Sequence, residues 1–209
     1  MIPAIILAAG KSTRMSRLKA TLSAGSGADT LLTRIIRTFQ QADVEDVVVV
    51  IGHEADDVRK SVAASGLMAR LVANTDYERG QLSSVLTGLR AIDRPGVNAM
   101  LLALVDTPFV SAQTVRSVVQ RYRASGAPIV RPVRGAEHGH PVLIDRTLFD
   151  GLRAADPVSG VKPIVRAHVS AAGDVVTDDE GAFLDIDTPE DYARALAIFG
   201  ARLLDSKQT

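Results

Sequence analysis

The sequence predicts an α/β fold of three layers, in which helices cover both faces of a mostly parallel sheet. Apolar runs of strand length alternate along the chain with amphipathic segments of helix length. Each amphipathic segment is long enough to carry the chain back across the sheet, as parallel strands require. With 209 residues the chain can bury most of its apolar surface in one core, so we expect a single domain over residues 1–209.

The predicted elements alternate regularly through the first two thirds of the chain. Strands are predicted at residues 4–7, 46–51, 70–73, 99–105 and 128–131. Helices are predicted between them at residues 31–41, 55–64, 83–92 and 111–124. A last helix is expected to begin near Pro189, because Thr188 can cap it and proline suits its first position.

Residues 135–183 interrupt this alternation with several glycines and prolines. We expect shorter elements there, including an antiparallel excursion of the sheet. Residues 205–209 have the polar character of a frayed tail.

The composition excludes several classes of function. Lysine and arginine together number 24, as do aspartate and glutamate, which argues against a nucleic-acid binder with a general basic surface and favours small-molecule partners. Cysteine is absent, so disulfides, thiolate metal sites and a cysteine nucleophile are excluded. The apolar run at residues 2–9 is short for a signal-peptide core, and no run reaches membrane-spanning length. We therefore expect a cytoplasmic protein without a membrane partner.

The first chemical motif lies where the first strand runs into a turn of small residues and a loop with cations. Backbone N–H groups around Ala8, Ala9 and Gly10 can approach a ligand closely and converge on anionic oxygens. Arg14 can donate a planar fork to phosphate oxygens, and Lys19 adds a mobile point charge. This order of parts predicts a polyphosphate pocket, the alternative being an ordinary strand-to-helix turn with solvated cations.

Two carboxylates at the ends of strand-like segments form the second motif. Asp106 follows the fourth strand, and ligands of open α/β sheets bind outside the carboxyl ends of strands, so it is expected to face the loop of Gly10. Asp187 ends a strand-like segment before the last helix, with Asp185 on the same face. Asp106 and Asp187 could hold one Mg²⁺ together with phosphate oxygens and water. The alternatives are that Asp106 only organises a turn and Asp187 only caps a helix.

A magnesium ion beside a glycine-containing phosphate loop indicates phosphoryl or nucleotidyl transfer. The loop matches neither the GK[ST] ending of a Walker A motif nor the dinucleotide pattern G-x-G-x-x-G. If Arg14 binds the outer phosphates and Lys19 the α-phosphate, cations and Mg²⁺ neutralise the charge that develops at phosphorus. An acceptor phosphate would then attack the α-phosphorus in line and expel pyrophosphate, without a side-chain nucleophile.

Together these motifs resemble the nucleotidyltransferases with a glycosyltransferase-A-like Rossmann fold. Within that group the chain is most similar to the molybdenum-cofactor nucleotidyltransferases, which include cytidylyltransferases and molybdopterin-guanine dinucleotide synthases, and especially to the cytidylyltransferase branch. The resemblance spans residues 2–196, nearly the whole chain. The matching segments are residues 7–19, 50–53, 74–85, 105–108, 139–142 and 185–189.

The resemblance implies a role for each matching residue. The nucleoside would lie against Leu7, Ala8, Ala9, Gly10, Gly80 and Ser84, the triphosphate against Arg14 and Lys19, and Mg²⁺ against Asp106 and Asp187. His140 would lie on the acceptor side, with a turn histidine as the alternative, and His53 has the same two interpretations. The implied partners are an NTP, CTP being favoured, and molybdopterin, with transient contact to a molybdoenzyme or its chaperone.

The chain also departs from the family pattern. Ser16 stands where the family usually has glycine and Leu18 near its usual proline, which predicts a different path for the loop carrying Lys19. Residues 23–29 are longer and more flexible than the family's tight turn, and the methionine common after Gly80 is missing. The remaining hypotheses are GTP with molybdopterin, a sugar 1-phosphate or other small phosphate acceptor, and a non-catalytic nucleotide-binding protein.

Overall fold

An eight-stranded sheet forms the centre of the structure, a computed structural model that describes residues 1–15, 17–25 and 28–205, with side chains to residue 200. Seven strands lie in the order β3-β2-β1-β4-β7-β5-β6, and β8 pairs with β5. The strands are β1 (Ala4–Ala8), β2 (Val47–Ile51), β3 (Arg70–Ala73), β4 (Ala99–Leu104), β5 (Ile129–Arg134), β6 (Glu137–His138), β7 (Val142–Asp145) and β8 (Asp174–Val176). Strands β1 to β4 are mutually parallel, as predicted.

Helices connect the parallel strands and cover the sheet. They are α1 (Leu31–Gln41), α2 (Ala55–Ser65), α3 (Gln81–Ile92), α4 (Ala112–Ser125), α5 (Phe149–Arg153), α6 (Lys162–His168) and α7 (Pro189–Asp205). Helix α7 begins at Pro189, and the Asp191 backbone N–H donates to the Thr188 hydroxyl, as a capping residue requires. None of the helices in the described ranges combines the length and apolar character that a membrane crossing needs.

The core lies on both faces of the sheet, which confirms the predicted three-layer α/β fold. Alternate residues of β1 point to opposite faces, so Ile6 packs with α1, α2 and α4, whereas Ile5 packs with α3, α5 and α6. Both side chains are fully buried. Because both faces are covered, the central strands carry apolar residues throughout rather than at every second position.

The predicted antiparallel excursion occurs between β5 and β8. Strand β7 pairs antiparallel with both β4 and β5, so it lies between them in the sheet. The sequence did not predict α5, α6 and β8, which have 5, 7 and 3 residues and are too short to show a full hydrophobic period.

One predicted element is wrong. The segment 183–187 reads as a strand from its alternating apolar residues, but it joins no strand ladder. The Ile186 backbone N–H instead donates to the Asp106 carbonyl at 2.8 Å, which ties this segment to the end of β4. Ser16, part of the loop at residues 23–29, and residues 206–209 of the expected tail lie outside the described residues.

Candidate active site

A cavity of about 380 Å³ opens at the carboxyl ends of β1 and β4. It brings together nearly all of the residues predicted from the sequence: Leu7, Ala9, Gly10, Arg14, Lys19, Gly80, Ser84, Asp106 and Asp187. Two predicted residues lie elsewhere. The Ala8 side chain packs on the opposite face of the sheet because strand residues alternate, and His140 lines a neighbouring cavity.

The loop after β1 is held in shape by Ser12, which belongs to the matching motif but was given no role there. Ser12 has a left-handed backbone with φ of 51°, uncommon for a residue other than glycine. Its carbonyl accepts a hydrogen bond from the Met15 N–H at 2.8 Å, and its hydroxyl accepts one from the Lys19 N–H at 3.1 Å. Met15 is buried and anchors the loop. Ser12 therefore positions the backbone of Lys19 beside the cavity.

Both predicted phosphate-binding cations contact Asp187. Lys19 Nζ donates to Asp187 Oδ1 at 2.8 Å, and Arg14 Nη2 lies 3.1 Å from Asp187 Oδ2. The hydrogen bond from Lys19 is the largest effect that lowers the pKa of Asp187, so this carboxylate is ionised. The Lys19 side chain is only 10% exposed, whereas that of Arg14 is 67% exposed. Arg14 can therefore move toward a ligand more freely than Lys19.

Asp106 carries an oxygen without a hydrogen-bond donor. Its Oδ1 atom is buried and has no partner among the described residues. Burial raises the pKa of Asp106 to about 6, although the nearby Lys19 charge opposes this rise. Buried polar atoms are normally paired, so an orphaned oxygen on a carboxylate group beside the cavity fits a site for a cation or a proton donor.

The carboxylates of the site fit a divalent cation that also has phosphate ligands. In the described ranges, no group of three or more His, Cys, Asp and Glu side chains is arranged to hold a metal ion alone. Asp106 and Asp187 both line the cavity and offer hard oxygen ligands. Mg²⁺ commonly uses one or two carboxylates together with substrate phosphates and water, so this donor set suits it.

The first turn of α3 forms the opposite wall of the cavity. Gly80 precedes the helix with φ of 95°, a conformation that glycine adopts without strain. The buried Asn74 side chain donates to the Ser83 and Ser84 hydroxyls at 2.9 and 3.0 Å, which fixes this turn. Tyr77 and Gln81 also line the cavity and were not predicted as site residues. A polar segment gives no sequence signal for which of its side chains points inward.

A second cavity of about 610 Å³ adjoins the first and shares Gln81 and Leu104 with it. His140 lines this second cavity, and its backbone N–H donates to the Ala182 carbonyl at 2.8 Å. Burial lowers the pKa of His140, which favours the neutral ring, and burial raises the pKa of the neighbouring Asp185. The predicted acceptor-side histidine thus lies next to the first cavity. We refer to the first cavity, after its proposed ligand, as the nucleotide cavity.

The other three histidines have different surroundings. His53 ties the end of β2 to the loop after β1, since its backbone N–H donates to the Ala9 carbonyl at 3.1 Å. His138 is exposed on β6 and lines the second cavity. The His168 ring is exposed at the end of α6, with Nδ1 2.9 Å from the Ile164 carbonyl.

Comparison with known proteins places this site in a family. The family model for the MobA-like NTP transferase domain matches residues 4–172. A probable molybdenum cofactor guanylyltransferase of Mycobacterium avium is 29% identical over 196 residues, which cover 92% of this chain and 93% of the relative. The bifunctional IPC transferase and DIPP synthase of Rubrobacter xylanophilus is 31% identical over 78% of this chain. This chain spans 43% of that relative, and 31% and 30% of two bifunctional GlmU proteins that it also matches.

Solved structures agree with the sequence relatives. Rv0371c from Mycobacterium tuberculosis superposes with a TM-score of 0.78 at 28% identity, over 94% of this chain and 97% of that one. A structure of the same protein in complex with manganese has a TM-score of 0.70 at 25% identity, over 94% and 98% of the two chains. The chain therefore belongs to the family of the MobA-like NTP transferase domain.

Proposed function

We propose that this protein transfers a nucleoside monophosphate from an NTP to a phosphate-bearing acceptor and releases pyrophosphate. The observation that carries the proposal is that Asp106, whose buried Oδ1 has no hydrogen-bond partner among the described residues, lines the same cavity as Arg14 and Lys19. A site with cations on one side and an unpartnered carboxylate on the other is complementary to a metal-bound triphosphate.

In this proposal each charged residue binds one part of the nucleotide. Arg14 contacts the outer phosphates with its planar fork, and Lys19 contacts the α-phosphate, where negative charge develops during transfer. Asp106 and Asp187 would hold Mg²⁺, which neutralises phosphate charge from the other side. The manganese complex of Rv0371c supports a divalent cation in a protein with this fold. Ser12 keeps the Lys19 backbone in place, so catalysis comes from positioning and charge.

We propose CTP as the nucleotide and molybdopterin as the acceptor. The choice of CTP rests on the resemblance of the combined motifs to the cytidylyltransferase branch. GTP is the second candidate, because the Mycobacterium avium relative bears the name of a guanylyltransferase. Transient contact with a molybdoenzyme or its chaperone belongs to the same proposal.

Pyrophosphate release tests the reaction directly. The protein would be incubated with molybdopterin, with a hexose 1-phosphate or without acceptor, and with CTP, GTP, UTP or ATP, each with and without Mg²⁺. We expect release with CTP, molybdopterin and Mg²⁺ together. Asp106→Asn and Asp187→Asn should each lower the rate at least about a hundredfold, because each removes a charge that stabilises the transition state. Asp57→Asn, at an exposed residue paired with Lys60 on α2, is the matched control.

The possible results separate the proposals. A preference for GTP would retain nucleotidyl transfer and replace the proposed base. Release with a sugar phosphate but not with molybdopterin would replace the proposed acceptor. Full activity of Asp106→Asn would remove Asp106 from the proposed site, and a lack of release with every combination would contradict the reaction itself.

A further inference from the structure

The second cavity contains a buried cation with an unused donor. The Arg131 side chain on β5 is only 12% exposed, and its Nε atom donates no hydrogen bond to the described part of the chain. Asp174 Oδ1 on β8 lies 3.5 Å from Nε, longer than an ordinary N–H···O hydrogen bond. A buried guanidinium without full hydrogen bonding costs folding free energy. A ligand with an acceptor oxygen would supply hydrogen bonds that the fold does not give this guanidinium.

The sheet fixes how far Arg131 lies from the nucleotide cavity. Leu102 on β4 is opposite Val142 on β7, and continuing the register of β7 with β5 places Arg131 opposite Val142. All three residues line the second cavity, so they form one row across its floor. Adjacent strands are about 4.8 Å apart, so Arg131 lies two spacings, about 10 Å, from Leu102. Leu104, which follows Leu102 on the same face, belongs to both cavities.

Further cations line the second cavity. Lys162 and Arg166 of α6 are exposed and line it, while apolar residues of α6 and the sheet form much of its wall. Arg131 from the sheet and these two side chains from α6 together favour an anionic ligand.

We propose that Arg131 binds a second anionic group of the acceptor, on a strand that lies two spacings from β4 in the sheet. This inference rests on the proposed function, since it assigns the second cavity to the acceptor. The acceptor class is an elongated phosphate ester with an apolar body and an anionic group at its far end. Lys162 and Arg166 attract that group, and Arg131 fixes it by hydrogen bonds inside the cavity. A small phosphate ester without a second anionic group would leave Arg131 with its long 3.5 Å ion pair to Asp174.

Binding of a pair of simple probes tests this role without requiring turnover. Hexane-1,6-diyl bisphosphate and hexyl phosphate would be titrated calorimetrically into the wild type, with the nucleotide cavity filled by Mg²⁺ and α,β-methylene CTP or, separately, α,β-methylene GTP. We expect the wild type to bind the bisphosphate at least about tenfold more tightly, as a charge-assisted hydrogen bond permits. In Arg131→Met this preference should disappear. Arg134→Met, on the same strand but exposed and paired with Glu137, should retain it.

Thermal unfolding distinguishes a binding role from a structural one. Replacing a buried, incompletely paired charge by an apolar side chain of similar size is often neutral or stabilising, so Arg131→Met should keep or raise the Tm. The inference is overturned if the wild type binds both probes equally, or if Arg131→Met lowers the Tm and weakens both probes alike. If no NTP and acceptor release pyrophosphate but the probe preference still depends on Arg131, the proposed reaction fails and the anion site stands.

Discussion

At the scale of single residues, the buried charge of Asp106 lowers the stability of the fold, although the proposed metal binding needs that charge. Its pKa is about 6, against an ordinary value of 3.8, because the carboxyl group is buried. The native state thus binds the Asp106 proton more tightly than the unfolded chain does. Its contribution to the free energy of unfolding therefore falls as the pH rises from about 4 to about 6, and remains unfavourable above that range.

Asp106→Asn should consequently stabilise the protein at pH 8 and have little effect at pH 4. The expected gain at pH 8 is about 3 kcal/mol, because the amide keeps the shape of the side chain without its buried charge. Urea unfolding of both proteins at the two pH values measures the difference. Equal stability of wild type and variant at pH 8 would contradict a raised pKa at this residue.

The sequence predicted the charged centre of the candidate site better than its walls. Residues at strand ends, such as Gly10 and Asp106, can be located because their position follows from the buried strand before them. Tyr77 and Arg131 could not be found in this way. Tyr77 lies in a polar loop, and nothing in the sequence distinguishes Arg131, one of 24 basic residues, as a cavity residue.

At the scale of elements, helix α3 connects the core to the site. Its first turn lines the nucleotide cavity, and its middle crosses β1 and β2 at Gly88. A Cβ atom at Gly88 would lie 2.5 Å from Ile5 Cγ2 and 3.1 Å from Val50 Cγ2. Both neighbours are fully buried and have no room to retreat. The position of the cavity wall therefore depends on the absence of a side chain at Gly88.

Gly88→Ala is expected to lower the free energy of unfolding by about 1–3 kcal/mol through overpacking. It should also weaken nucleotide binding, because the helix must move away from the sheet together with its first turn. Chemical denaturation and calorimetric titration with CTP and Mg²⁺ measure the two effects. Gly151→Ala on α5 is the matched control, since a Cβ there meets no atom within 4 Å, and it should be neutral or slightly stabilising.

The elements also differ in how well the sequence predicts them. Strands β1 to β4 and the helices between them were predicted because each is a full apolar run or a full amphipathic period. The segment 183–187 has the apolar alternation of a strand but belongs to no strand. The Ile186 backbone N–H donates to the Asp106 carbonyl, and a local sequence pattern cannot indicate a hydrogen bond to so distant a residue. Its position depends on packing against the end of β4.

At the scale of the whole molecule, ligand binding should stabilise the fold. If the nucleotide binds only the folded state, CTP with Mg²⁺ at a hundred times its Kd should raise the free energy of unfolding by about 2.7 kcal/mol. At the same nucleotide concentration, Arg14→Met should have a smaller gain, because it removes a cation of the proposed phosphate site. The control Arg59→Met changes an exposed residue of α2 and should retain it. Thermal unfolding across a nucleotide series measures the effect, and equal gains in both variants would remove Arg14 from the proposed site.

The contacts of Asp187 give the site an internal counterion. Asp187 contacts both Lys19 and Arg14 before any ligand arrives, and its single negative charge offsets one of these two cations. Under the proposed function, entry of a nucleotide would be an ion exchange, in which triphosphate oxygens replace Asp187 at the two cations and the metal binds the released carboxylate. A metal-free triphosphate would leave that carboxylate facing it without a cation. We therefore expect the proposed site to favour the metal complex over the bare nucleotide through charge balance.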